Sequence, residues 1–465
     1  MVHVHKGWKV MLASMLILVL LSGCMGEKPV LENMPEHGGK LKVMFWDEDQ
    51  FYRSFGNFFA IKYQNVDFEV VNMNAMNEGN QDQEVKDPNE QLLAFIEKEK
   101  PDLIMLEQDQ LSKLAEKGKL YNLDSIIAQE QMDLNEMLPG TIDLLRGLGD
   151  GKLYGLAPYY SGSAIYYNAD LFKAQGVELP KHQMSWEELL NLAARFNRGS
   201  GEDQTYGIAS PFSESYDLLM DVAQASNLQL LDSRHENVLL HTDGWKNVFK
   251  LVTDAIRNKA YKLPERNKNA GYSSYDNNEF MSGKAAMAIE GSWYIHNIVN
   301  MTKYDKNNKA FEWGMVTMPV NPSRPDESPY INLSSIYAIN QDSTNKRLAW
   351  ELLKFMSGQE MAKAASKTTG VDLPIRTTHL KEIGGKSAEA FTMLKPSTVQ
   401  HVRYFRNNDV PKDFNTTIRT MVGQAIDDVV ANKKSIDEAV AAIQQELQMQ
   451  LDTHRNAADT SPKKK

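Results

Sequence analysis

One cysteine, Cys24, stands among 465 residues. A lone thiol excludes an intrachain disulfide framework and any metal site built from several thiolates. Catalytic signatures are missing as well. Gly385-Lys386-Ser387 ends like a phosphate-binding loop, but Leu380 occupies the position where that loop's first glycine belongs, so the cradle is broken. Gly147 and Gly149 follow no strand pattern and complete no dinucleotide fingerprint. There is no His-Glu-x-x-His, and no Gly-x-Ser-x-Gly elbow. The ten histidines are scattered, and His235 with His241 reads as a solvated pair; no metal or cofactor is expected. A basic excess is lacking too: 51 Lys and Arg stand against 61 Asp and Glu, a net charge of −10. That balance argues against a nucleic-acid partner and suits a soluble surface. No internal repeat of fixed period occurs.

The apolar share of 42% and charged share of 24% are ordinary for a globular protein, and the length predicts two or three lobes. The N-terminus departs from that pattern. Lys6 and Lys9 make a basic start, and Met11 to Leu21 is an apolar run too short for a transmembrane helix. Small residues Ser22 and Gly23 then precede Cys24. Leu21-Ser22-Gly23-Cys24 resembles the lipobox of bacterial lipoproteins, in which the cysteine sulfur takes a diacylglycerol and the chain is cut before it. The expectation is a signal peptide over 1–23, lipidation at Cys24 and a membrane anchor. Burial contributes about 0.8 kcal/mol per methylene, so two acyl chains hold firmly where one does not. Residues 24–40, with Pro29, Pro35, Gly38 and Gly39, read as a tether. Without residues 1–23 the chain carries 49 basic side chains against 61 acidic ones, a balance of −12.

Leu41 to Trp46 alternates as a strand, and Asp49 to Tyr63 carries Phe51, Tyr52, Phe55, Phe58 and Phe59 at helical spacing. Phe68 to Val71 reads as a second strand, Asn77 to Asn89 as a polar loop, Gln91 to Lys100 as a helix and Asp102 to Leu106 as a buried strand. Asp109 is the expected cap of a short helix carrying Leu111 and Leu114, with Gly118 ending it. The order β-α-β-α-β-α predicts a parallel sheet with right-handed crossovers. Ligands of such sheets lie beyond the carboxyl ends of the strands. Those ends are Trp46-Asp47-Glu48, Asn72-Met73-Asn74 and Glu107-Gln108. Further on, Asp170 to Gln175 is a short helix stopped by Gly176, and Ser185-Trp186-Glu187-Glu188 and Ser435-Ile436-Asp437-Glu438 are capping boxes.

Aromatic residues stand beside glycine or proline in loops that follow strands, at Pro158-Tyr159-Tyr160 and Gly291-Ser292-Trp293. A sugar presents flat C–H faces ringed by hydroxyls, and asks for an aromatic platform with carboxylate and amide acceptors around it. Taking about 0.5–1.5 kcal/mol per aromatic pair as a guide, two platforms and several charge-assisted hydrogen bonds reach the roughly −8 kcal/mol of a micromolar complex. Trp293 is the expected ligand contact; of Tyr159 and Tyr160 one faces the opening, while Tyr166 and Tyr167 belong to a strand. Asp47 and Glu48 with Glu107 could alternatively form the carboxylate pair of a glycoside hydrolase.

Five segments in order resemble the extracellular solute-binding proteins of carbohydrate ABC transporters, the maltose-binding-like family. They are Asp150 to Pro158, Ile165 to Phe172, Ser185 to Leu189, Phe280 to Met287 running on to Trp293, and Gly370 to Arg376. The resemblance implies an α/β, two-lobed periplasmic-binding-protein-like fold with a hinge and an interlobe cleft. It divides the chain into 41–156 plus 317–369 for lobe 1, 157–316 plus 370–455 for lobe 2, and a tail over 456–465. Carried over by position, Trp46, Asp47, Tyr160, Trp293 and Asp372 are expected ligand-binding residues; Glu107, at a strand end, and Asn332, through hydrogen bonds of its own, are expected to join them. Where many members have paired glycines, this chain has Asn332-Leu333-Ser334-Ser335. The implied role is capture without turnover: a monomer at the outer face of the membrane delivers a carbohydrate to ABC permease subunits. A surface lipoprotein for sugar sensing or adhesion is the reading outside transport.

Overall fold

The computed structural model describes residues 31–35, 37–76, 88–210, 213–264, 278–304, 309–333, 335–368, 372–399, 410–411 and 413–460. The signal-peptide segment, Cys24, part of the tether, Ser334, Gly370, Val371 and the last residues of the tail lie outside them, as does Asn77 to Asp87 of the polar loop.

The first sheet grows from apolar runs too short for helices. β1 (Gly39–Phe45) pairs in parallel with β2 (Val66–Asn72) and with β3 (Leu103–Leu106). All four residues of β3 are buried, as a central parallel strand covered on both faces requires. The connection from β1 to β2 is helical from Glu48 to Lys62, with a π-turn at Tyr52–Gly56. Its buried side chains, Phe51, Phe55 and Phe59, recur every four residues and pack on the sheet. The next crossover is the helix Pro88–Glu99. β4 (Gly155–Leu156) closes this sheet at one edge.

β5 (Tyr159–Asn168) begins three residues later and belongs to a different sheet. There it runs antiparallel to β8 (Ala285–Gly291) and β9 (Trp313–Thr317), while β6 (Tyr206–Ala209) joins β8 and β7 (Tyr261–Lys262) in parallel. Helices pack against it where the sequence punctuates them. The helix Ala169–Gln175 stops at Gly176, whose φ of +65° is the left-handed turn glycine takes without strain. Ser185 and Glu188 exchange the two bonds of a capping box, and Ser435 does the same with Glu438. Gly207 lets β6 lie against the helix Trp186–Ala193, since a Cβ there would come 2.3 Å from the Ala193 carbonyl oxygen.

The chain changes sheet three times. It leaves the first sheet between β4 and β5, at Ala157-Pro158. The return comes later than the expected Thr317. The segment after β9 stays with the second half: the Val320 amide donates to the Met184 carbonyl, and Gln224 donates to the Pro329 carbonyl. The short β10 (Glu327–Ser328) pairs with a later segment, and β11 (Ile331–Asn332) still pairs with β5. Only β12 (Ile336–Ile339) re-enters the first sheet, antiparallel between β3 and β4. The third passage lies between the helix Gln359–Ala365 and β13 (Leu373–Pro374), which pairs with β5.

Candidate ligand-binding site

Groups from both sheets gather where β5 begins. Asn332 of β11 lies opposite Ser161, Asp372 immediately precedes the β13 residue opposite Tyr160, and β8 ends opposite Ser163 before delivering Ser292 and Trp293. Three of the expected residues are thus carried to one four-residue stretch of β5. Tyr160 lies on that stretch itself, and the remaining three come from strand ends of the first sheet: Trp46 and Asp47 follow β1, and Glu107 follows the adjacent β3. A hydrogen bond spans the two sets. Gln108, next to Glu107, donates to the Asn332 side-chain oxygen at 3.2 Å.

Trp46 is 41% exposed, an unusual price for a tryptophan in a soluble protein, and the Asn74 amide donates to its carbonyl at 3.0 Å. Asp47 caps the helix after β1, accepting from the Gln50 amide at 2.8 Å. Glu107 caps the helix Gln108–Glu116 through a capping box with Gln110; that replaces the cap expected at Asp109, which sits inside the first turn. Of the three carboxylates of the hydrolase alternative, Asp47 and Glu107 therefore serve as acceptors for helix amides. A carboxylate so held retains a second oxygen for a hydroxyl, which suits recognition.

Trp293 is half-buried and meets Tyr294 edge to face with centroids 5.5 Å apart. Its indole lies over Gly291: a Cβ at that glycine would come 2.7 Å from Trp293 Cδ1 and 2.8 Å from Nε1. Below the turn, the Tyr166 hydroxyl donates to the Gly291 carbonyl at 2.7 Å.

Tyr160 corrects the expectation made for it. The side chain is fully buried and its hydroxyl donates to the Phe391 carbonyl at 3.1 Å, so it presents no face to a ligand. Strand alternation turns its neighbour the other way. Tyr159 is partly exposed, stacks on Phe55 with centroids 5.8 Å apart, and has its pKa raised to about 12, first by burial and then by the Asp372 charge. Asp372 is itself held above the ordinary carboxylate range by desolvation, although its side chain reaches solvent. Tyr337 of β12, stacked on Phe45, feels both Tyr159 and Asp372 and is pushed well up, chiefly by burial.

Sequence reasoning missed Glu290. It is a carboxyl buried at the end of β8, bonded to Ser210 at 3.0 Å, with burial pushing its pKa up to about 8. The available signal was a single acid closing the apolar run Ala285 to Ile289 just before Gly291-Ser292-Trp293. Among the described residues no group of acids, histidines or cysteines could hold a metal ion, and no helix is long and apolar enough to cross a membrane.

This architecture is that of two-lobed solute-binding proteins: over 91% of the chain it superposes on the whole sugar-binding protein MalE of Xanthomonas citri, with a TM-score of 0.62 at 20% identity. Residues 80–393 match the model of the bacterial extracellular solute-binding proteins, and the chain belongs to that family. It is a family of binding proteins, not of enzymes, and of proteins that act outside the cytoplasm. A binding protein of Brucella abortus is 27% identical over 254 residues, 53% of this chain and 57% of that one. The galactooligosaccharide-binding protein of Bacillus subtilis is 22% identical over 278 residues, 58% of this chain and 59% of its own length. The chain thus spans little more than half the length of these curated relatives.

Proposed function

We propose that this protein captures a sugar or oligosaccharide outside the cytoplasmic membrane and hands it, chemically unchanged, to the permease subunits of an ABC importer. The observation that carries the reading is the convergence of Trp293, Asn332 and Asp372 on the start of β5, joined to the strand ends of the first sheet through Gln108. Trp293 supplies the stacking face, with Tyr159 in the place expected of Tyr160. Asp372, Asp47 and Glu107 accept from sugar hydroxyls, Asn332 both donates and accepts, and Trp46 flanks them. Two relatives named above are described as binding sugars, which supports the same class of ligand. Ligand that touches both sets of groups favours the closed arrangement of the lobes, and only such differential affinity shifts the equilibrium. Lipidation at Cys24 tethers the monomer near its permease.

A thermal-shift screen against mono- and oligosaccharides tests this. A ligand at 100 times its Kd raises apparent stability by about 2.7 kcal/mol. At least one saccharide is expected to raise the melting temperature dose-dependently; release of reducing ends on incubation would support a hydrolase instead.

A further inference from the structure

The carboxyl beneath the Trp293 turn has had no role so far. Glu290 pairs in register with Ala164 of β5 and is 8% exposed. Its Oε1 accepts from the Ser210 hydroxyl at 3.0 Å, just past the end of β6. One residue on, the Tyr166 hydroxyl holds the Gly291 carbonyl at 2.7 Å. The Ser292 amide then donates to the Gly162 carbonyl at 3.3 Å, and the indole of Trp293 rests on Gly291. Two buried polar side chains thus grip the strand end from which the platform projects.

Among the described residues the surroundings of Glu290 offer no counter-charge. Tyr166 faces it from β5, with Tyr294 of the following helix behind; Tyr261 faces it from β7, with Asp221 of the helix Ser215–Ala225 beyond. No lysine, arginine or histidine among the described residues acts on it. An unpaired carboxylate in such a place is strongly disfavoured, whereas the neutral acid can donate to the Ser210 oxygen while that hydroxyl donates to the Ile289 carbonyl, 3.3 Å away. Burial accordingly pushes its pKa up to about 8.

We propose that Glu290 is a positioning residue for ligand binding: as the neutral acid bridged to Ser210 it fixes the Gly291–Trp293 turn, and loss of its proton unseats the indole and weakens binding. This rests on the reading that Trp293 contacts the sugar. Binding therefore has an alkaline limit that no group touching the ligand sets. Conservative replacement by an amide, which keeps the bridge and cannot ionise, removes that limit.

The test is calorimetric titration of the full chain with maltotriose and with a galactotriose at pH 6.5 and 9.5. If only the protonated form binds, about 3% is competent at pH 9.5, and the apparent Kd rises about 30-fold. Glu290→Gln is expected to bind as wild type does at pH 6.5 and to lose the pH dependence. An identical pH profile in wild type and Glu290→Gln, or a flat profile in wild type, overturns the proposal and leaves sugar capture intact. Should neither sugar bind at either pH, the functional reading is what fails, and tryptophan emission of the ligand-free protein decides the inference. A transition near pH 8 is expected in wild type and absent from both Glu290→Gln and Trp293→Phe; no such transition in wild type overturns it without recourse to any variant.

Discussion

Asn332 accepts a hydrogen bond from Gln108 at 3.2 Å, although 224 positions separate them. Gln108 opens the helix beyond β3 in the first sheet, and Asn332 lies in β11 against β5 in the second. The bond joins the two sets of groups from which the proposed site is built. A neutral hydrogen bond at an exposed position contributes about 0.5–1.5 kcal/mol net, and the same amide serves an incoming hydroxyl. Asn332→Ala is expected to lower sugar affinity about 3–10-fold while moving the melting temperature little. Calorimetry and thermal melts on one preparation check this; a destabilised variant of unchanged affinity would make the pair a clasp and nothing more.

Gly291→Ala probes the platform without touching it. The added methyl would stand 2.7 Å from Trp293 Cδ1, and the indole, at the end of a mobile side chain, is the group that yields. The fold is expected to survive, with stability changed by about 1 kcal/mol or less, while affinity falls at least about tenfold. Trp293→Ala is expected to abolish or severely weaken binding. If both variants bind as wild type does, the tryptophan is outside the site.

Asp372 and Glu290 are both raised above ordinary carboxylate values, each by burial first. A carboxyl that holds its proton more tightly in the folded chain gives stability that is complete below its unfolded pKa and is lost as pH rises through the folded one. For Glu290 that window runs from about 4.5 to about 8. Melts across this range are expected to show wild-type stability falling with pH by a few kcal/mol in total, with a shallower fall in Glu290→Gln. Asp372→Asn is expected to be more stable than wild type at neutral pH and poorer at binding. A wild-type stability that rises through the window would contradict the assignment.

The anchor is separable from the fold. Cys24→Ala is expected to shift the protein from the membrane fraction to the soluble one and to erase a diacylglycerol mass from the N-terminal peptide, with sugar affinity unchanged. Membrane retention of that variant would point to another attachment.

Much of this was legible in the sequence, and the parts that were not share a cause. The β1-β2-β3 arrangement follows from apolar runs separated by helical patterns, and the capping boxes at Ser185 and Ser435 carry their chemistry in four residues. The resemblance to solute-binding proteins rested on five short segments, and the family match bears it out. Tyr160 was misplaced because two adjacent tyrosines leave the phase of a strand open, and only the partners of β5 fix it. β11 and β13 are two residues each, too short to carry a period, so the later return to the first sheet was invisible. Glu107 takes the cap expected of Asp109 because Gln110 can answer it, a choice that spacing alone does not make.

Sugar capture without turnover is tested most directly by titrating the purified protein with a panel of saccharides and analysing the recovered sugar. At least one saccharide should bind saturably at one site per chain, with a Kd near the micromolar range, and return intact; Trp293→Ala should not bind it. A protein that binds none of the panel, or that returns shortened sugars with new reducing ends, would contradict the account.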